Sequence, residues 1–134
     1  MGKRARLTID GASKGNPGRA AAAFVLKEKG RKTIEGARSI GHATNNTAEY
    51  TALIDGLGKA LEIGIEELDI RTDSQLLERQ LTGEYRIRKE HLMDLAAEAH
   101  VLLRRLKWSV QHIPREENKR ADALCKKALR RKKS

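Results

Sequence analysis

The apolar residues of this chain repeat at every second position near its start and at every third or fourth position from Thr47 onward, and that change of period limits what it can fold into. Residues 4 to 10 alternate, with Ala5, Leu7 and Ile9 on one side and Arg6 and Thr8 on the other, as in a strand with two unlike faces. A Gly-rich turn is expected after Asp10. An apolar strand follows over 20–27, then a tight turn at Glu28-Lys29-Gly30-Arg31 and a third strand over 32–42, so the chain opens as a three-stranded meander. From Thr47 the spacing of Tyr50, Leu53, Ile54, Leu57 and Leu61 predicts a helix that Gly64 stops, with Asn46 as its N-cap. A strand over 67–72, a helix from near Ser74 to Gly83, a helix from about Lys89 to Arg105 and a strand over 107–113 come next. A last helix starts near Glu117 or Asn118. The order is βββαβααβα.

A strand that follows a crossover helix normally lies parallel to an earlier strand, so the fold class is α/β, a five-stranded mixed sheet flanked by helices. With 134 residues, one domain is expected over 1–134, with a core over about 4–129 and a basic tail over 130–134. Functional sites in such sheets collect at the carboxyl ends of the parallel strands. Asp10 and Asp73 fall at such ends, Glu49 in the first turn of the long helix and Asp122 near the start of the last one. Taken singly, each acid has a structural reading. Asp10-Gly11 suits a turn, Glu49 could close a capping box with Asn46, Asp73 could cap the helix after it, and Asp122 suits a helix start. Taken together, they share one edge of the sheet. Carboxylates gathered within a few ångströms repel one another, so a protein that gathers them needs cations, and Mg²⁺ or Mn²⁺ favour oxygen ligands.

The surrounding chain has the opposite charge. Lys and Arg number 28 against 18 Asp and Glu, a net charge of +10, and residues 115–134 hold nine basic and three acidic residues. A polyanionic partner and salt-sensitive binding follow. The four aromatics, Phe24, Tyr50, Tyr85 and Trp108, are too few for a base-stacking platform. Cys125 stands alone, which excludes an internal disulfide and a CxxC zinc site and reads as a small buried thiol in a reducing compartment. The start, Met-Gly-Lys-Arg-Ala-Arg, reads as neither a signal peptide nor an anchor, and no apolar run could span a bilayer. A soluble, cytoplasmic monomer without membrane contact is the plain expectation.

Asp-Gly-x-x-x-Gly-Asn-Pro-Gly at 10–18, Asn-Asn-x-x-Glu at 45–49, Thr-Asp-Ser-Gln at 72–75 and Asn-x-x-Ala-Asp at 118–122 occur in that order. In this ordered set the chain resembles the type 1 ribonuclease H family, from Leu7 to about Leu129. The resemblance implies the RNase H-like fold and an endonuclease that hydrolyses the RNA strand of an RNA/DNA hybrid, leaving 5′-phosphate and 3′-hydroxyl ends. It implies that Asp10, Glu49, Asp73 and Asp122 hold two Mg²⁺ ions, with Mn²⁺ a possible substitute, and that Asp10 bridges them. It also implies that Ser13, Gly15, Asn16, Asn45, Asn46 and Gln75 lie near the hybrid's minor groove, where side-chain amides can sense the 2′-hydroxyl. Asn16 and Asn45 could instead simply support turns. Thr44 matches a position that holds a DNA-strand phosphate, and His112 a loop histidine that helps to activate water or release product. The alternative reading at this loop gives the contact with substrate phosphate to Arg115. His42, His91 and His100 have no motif around them.

The chain departs from the family in two places. Some members insert a basic helix and loop where this chain has Gly83 to Arg88, and the basic connector Glu84–Lys89, with the tail, could supply the lost phosphate contacts. The run Ala20-Ala21-Ala22-Ala23 replaces a more Gly-rich stretch, which need affect packing alone. Three rivals stand beside the enzyme reading: a non-catalytic hybrid-binding module, a sugar-kinase or actin-like ATPase domain, and a structure-selective DNA nuclease on the same scaffold.

Overall fold

The alternating segment at the start becomes the central strand of the sheet. In the computed structural model, which describes residues 2–130, β1 (Arg4–Ser13) pairs antiparallel with β2 (Gly18–Glu28) and parallel with β4 (Glu67–Thr72). β3 (Ile34–Ala43) completes the meander beyond β2, and β5 (Lys107–His112) lies parallel to β4, giving the order β3-β2-β1-β4-β5. The helices are α1 (Asn45–Glu62), α2 (Gln75–Leu81), α3 (Glu90–Leu103) and α4 (Lys119–Arg130), with a short 3-10 turn at Arg115–Glu117 before α4. The five-stranded mixed sheet and its order of elements are as the sequence predicts. Apart from Arg130, the basic tail lies outside the described residues. No helix among them is long and apolar enough to cross a membrane.

Three local expectations are corrected. Gly11 does not end β1. Gly11, Ala12 and Ser13 go on pairing with Ala22, Ala21 and Ala20, while the parallel ladder with β4 stops at Ile9 and Thr72. Asp10 is thus the first residue past the β1–β4 ladder, within a strand still held from its other side. Asn46 is not the N-cap of α1. Thr44 takes that place with extended backbone, its Oγ1 accepting the Thr47 N–H at 3.2 Å, so Glu49 closes no capping box with Asn46. Nor does Asp73 cap α2; Ser74 Oγ accepts the Leu77 N–H at 3.1 Å. Both acids are left free of helix capping.

The two faces of the sheet are packed differently. Toward α1 and α3, Leu7, Ile9, Leu26, Tyr50, Leu53, Leu57, Leu68 and Ile70 are fully buried in one cluster. Each large apolar side chain so buried contributes roughly 1.5–3 kcal/mol. Toward α4 the contact is made by small residues, Ala21 and Ala23 against Cys125, Ala128 and Leu129. The alanine run therefore does affect packing: alternate alanines serve opposite faces, with Ala22 in the large cluster and Ala21 and Ala23 under α4. Small side chains let a helix lie close to a sheet, and the Cys125 Sγ comes within 3.3 Å of the Ala21 carbonyl, to which it donates. Burial pushes this thiol up to about 12, which suits an inert packing residue.

The closest approach of sheet and helix is at Gly11. A Cβ there would lie 2.3 Å from the Ala48 carbonyl carbon and 2.4 Å from the Glu49 nitrogen, backbone atoms that no rotamer change can move. Gly58, on the exposed side of α1, would meet nothing within 4 Å. Gly11→Ala is expected to cost about 1–3 kcal/mol. Gly58→Ala should add up to about 1 kcal/mol. Urea unfolding of the two variants measures both, and equal stabilities would refute the close packing of β1 on α1.

Candidate active site

The N-terminal part of α1 and the ends of β1 and β4 meet at one edge of the sheet, and each brings an acid; with Thr44 as the cap, Glu49 falls in the second turn of α1 and not in the first turn that the sequence predicts. Asp10 is 5% exposed and Glu49 6%, and carboxylate oxygens of Asp10, Glu49 and Asp73 all lie within 4.8 Å of one another. Asp122 approaches from α4. It stands outside that tight group and pairs with Lys126 at 3.0 Å, yet it is near enough to Asp10 to share a hydrogen bond with it. The structure thus gathers three of the four predicted ligands closely and sets the fourth beside them.

The electrostatics follow from that crowding. Burial, then repulsion from Asp73 and Asp122, push Asp10 up to about 7. The Arg115 guanidinium pulls the other way, and the hydrogen bond with Asp122 adds to the rise. Burial, then Asp10 and Asp73, also push Glu49 well above the ordinary carboxylate range, against a hydrogen bond from the Gly11 backbone N–H. Glu49 Oε1 is buried with no hydrogen-bond partner. An orphaned buried oxygen among mutually repelling carboxylates suits a hard divalent cation, and the all-oxygen donor set suits Mg²⁺ or Mn²⁺ better than zinc.

Beside the acids, two loops are stitched together by amides. Asn16, at the β1–β2 turn with a φ of 37°, accepts the Asn45 N–H through Oδ1 at 2.9 Å, and Asn45 Oδ1 accepts the Ser13 N–H at 2.7 Å. Ser13 Oγ donates to the Ala43 carbonyl at 2.7 Å. Both asparagines therefore do support backbone, and their Nδ2 groups take part in no hydrogen bond among the described residues. Gly15, with a φ of 96°, lies in the same turn, in a conformation that glycine accepts without strain. Asn46 Nδ2 donates to Gln80 Oε1 at 3.4 Å, as does the Tyr50 hydroxyl at 2.9 Å, while Gln75 is exposed at the start of α2.

Asn16, Thr44, Asn45 and Asn46 line a groove of about 580 Å³ together with Arg86, Arg88 and Lys89 of the connector. Gln80, which also lines it, had no signal in the sequence beyond its place one turn past Gln75 and Leu76. The Thr44 hydroxyl is tied to Thr47 Oγ1 at 3.0 Å. His112 Nε2 reaches the Asp73 carbonyl at 3.3 Å. Of the histidines without a motif, His91 meets Thr47 Oγ1 at 3.2 Å, His100 packs edge-on against Trp108 and His42 is exposed on β3.

One polar residue at the site stands apart from those expected of it. Asn118, between the 3-10 turn and α4, is 1% exposed. Its Nδ2 donates to the Ile9 carbonyl at 2.9 Å and to Asp73 Oδ2 at 3.2 Å. In the sequence it marks a helix start; the hint of more is its fixed offset, one turn ahead of Asp122.

Comparison with known proteins agrees with this geometry. A family model described as reverse transcriptase-like matches residues 8–128. Ribonuclease HI of Halobacterium salinarum is 45% identical over 130 residues, which cover 96% of this chain and 65% of that protein, so the chain spans less than two thirds of that relative's length. The crystal structure of RNase H1 from the same archaeon superposes with a TM-score of 0.89 at 44% identity, covering 94% of this chain and 97% of that one. The LC11 RNase H1, solved in complex with RNA/DNA hybrid, superposes with a TM-score of 0.87 at 33% identity over 93% of this chain and 96% of its own. By the match of the family model over most of its length and by its likeness in sequence and fold to RNase H1, the chain belongs to the type 1 ribonuclease H family.

Proposed function

We propose that this chain is an endonuclease that hydrolyses the RNA strand of RNA/DNA hybrids with the help of two divalent cations, Mg²⁺ or Mn²⁺, leaving 5′-phosphate and 3′-hydroxyl ends. The observation that carries the reading is the set of three carboxylates within 4.8 Å, two of them buried, with an unpartnered Glu49 oxygen among them. Asp10, Glu49 and Asp73 would hold the ions, with Asp122 joining from α4. When bound, the ions would supply Lewis acidity at the scissile phosphate and neutralise charge on the departing oxygen. The LC11 relative solved with RNA/DNA hybrid supports the choice of substrate.

The remaining residues bind and orient. The unengaged Nδ2 groups of Asn16 and Asn45, with Ser13, Gly15, Asn46 and Gln75 around them, suit the 2′-hydroxyl, which both donates and accepts. Thr44 and the cations Arg86, Arg88 and Lys89, which line one groove, suit the phosphates of the DNA strand. None of those three cations forms an ion pair among the described residues, so each keeps its charge for a ligand. His112, beside the Asp73 backbone, is within reach of a proton at the rim of the site. Arg115, close enough to lower the Asp10 carboxyl, suits a substrate phosphate.

End-labelled RNA/DNA hybrid, double-stranded RNA and double-stranded DNA, each offered with Mg²⁺, Mn²⁺ or chelator, test the assignment directly. Cleavage of the hybrid's RNA strand with either metal is expected, and cleavage of duplex DNA but not of hybrid would overturn it. Asp10→Asn should lower hybrid cleavage by more than about 100-fold and leave hybrid binding in chelator within about twofold. Replacing Arg86, Arg88 and Lys89 together by Gln should weaken hybrid binding and flatten its salt dependence by roughly one unit of log–log slope per lost phosphate contact. An unchanged slope would remove the connector from the interface.

The raised Asp10 carboxyl carries a stability consequence. Folded, it holds its proton up to about 7. Unfolded, it releases the proton near its ordinary value of about 4. Between those values the folded state binds more protons, so metal-free stability falls as pH rises through that window, and Glu49 acts in the same sense. Asp10→Asn should therefore melt several degrees above the wild type at pH 8 in chelator, with the gap closing toward pH 4. A variant that melts at or below the wild type at pH 8 would contradict the buried repulsion.

A further inference from the structure

We propose that Asn118 is a positioning residue for the carboxylate site, its buried amide holding the Asp73 carboxylate and the β1 backbone beside Asp10 at one fixed separation. The proposal rests on the divalent-metal reading above and adds to it a residue that would touch neither metal nor substrate.

The two hydrogen bonds of Asn118 Nδ2 leave no freedom in the orientation of its amide. Turning the amide over would set its oxygen against the Ile9 carbonyl and the Asp73 carboxylate, two contacts between acceptors, so the NH₂ end must face them. Each of its bonds leads to a different ligand. Ile9 immediately precedes Asp10 where the β1–β4 ladder ends, and Asp73 Oδ2 belongs to a ligand itself. Through its own backbone carbonyl, which accepts the Asp122 N–H at 3.1 Å, Asn118 also begins the turn that presents Asp122. The side chain thus ties together the elements that bring Asp10 and Asp73, and the backbone of the same residue adds the one that brings Asp122.

The remaining half of the amide points to the same role. Asn118 Oδ1 is buried without a partner, a cost that residues chosen for packing alone do not bear. An aspartate of the same shape would set a further anion against Asp73 and the Ile9 carbonyl, and a leucine would leave both acceptors without a donor. Asp73 receives no other side-chain hydrogen bond to its carboxylate among the described residues. Removing the amide frees that carboxylate to turn away from Asp10 and Glu49. A carboxylate oriented by a hydrogen-bond donor outside the ligand set typically loses 10–100-fold in metal affinity when that donor is removed.

The test compares the wild-type chain with Asn118→Ala and with Asn118→Leu, which fills the same space without a donor. Calorimetric titration with Mn²⁺ in the absence of substrate is run beside thermal unfolding and hybrid binding in chelator. Mn²⁺ affinity should fall by about 10-fold or more in both variants, while hybrid affinity in chelator stays within about twofold. In steady-state assays, kcat at low Mg²⁺ should fall with KM for hybrid unchanged, and excess Mg²⁺ should restore part of the rate. Mn²⁺ affinity within twofold of wild type, beside a lowered melting temperature, would overturn the proposal and leave Asn118 a structural tie. Failure of both variants to fold would overturn it in the same way. A wild-type chain that binds no Mn²⁺ would overturn the metal reading itself, and this proposal with it.

Discussion

Mutual repulsion among buried carboxylates is the constraint around which the rest of this structure is arranged. Asp10, Glu49 and Asp73 meet within 4.8 Å, and two of the three are almost wholly withdrawn from water. Burial and like charge both oppose ionisation, so nothing in folding itself favours such a cluster. What holds it is backbone. Asp10 lies in a strand paired on its β2 side beyond the point where β4 leaves, Glu49 in a helix turn pressed against Gly11, and Asp73 just past the last paired residue of β4. The energy for holding the acids together comes from the large aliphatic cluster beneath them, which does not depend on their charge.

The difference between the two sheet faces serves the same end. The face toward α1 and α3 is bulky, and the helix packed on it carries Glu49. The face toward α4 is built from alanines and a buried thiol, which brings the helix bearing Asp122 near the sheet. Two bonds from Arg120 to Glu35, at 2.6 and 2.7 Å, and one from Arg19 to the Leu129 carbonyl pin that helix along its length. Exposed pairs of this kind contribute little stability, so their value here is in register. Asn118 joins this helix to the opposite strands at its first turn, where register matters to the acids.

Much of this was legible from residue order. The alternation of Ala5, Leu7 and Ile9 and the helical spacing of Tyr50, Leu53 and Leu57 follow from which face each element buries, so periodicity reported them well. The ends of elements were less legible, because a cap is chosen by three-dimensional competition. Asn46 and Thr44 both suit an N-cap by type, and it is Thr44 that has the extended backbone of a cap, while Asn46 lies inside the helix with its amide turned to Gln80. Gly11 reads as a turn residue but is a strand residue. Its lack of a side chain answers to the helix backbone above it, which local sequence does not reveal. Gln80 went unnoticed, and Asn118 was read only within its motif and as a helix start, for a similar reason, since an amide has no periodic signature and its importance lies in what it faces.

The sequence by itself determined the chemistry available to this protein: four acids in an ordered set of motifs, amides close to them, and a strong excess of positive charge around them. It also determined the order of strands and helices, because apolar period is a local property that follows from which face is buried. Tertiary structure alone decided that three of those acids converge while Asp122 stands beside them, that Arg86, Arg88 and Lys89 line one groove with the asparagines, and that a single asparagine bridges two of the elements carrying acids. Those outcomes depend on distances of a few ångströms between residues far apart in the chain. Such distances are set by how closely helices lie on the sheet, which depends on the whole of the packing.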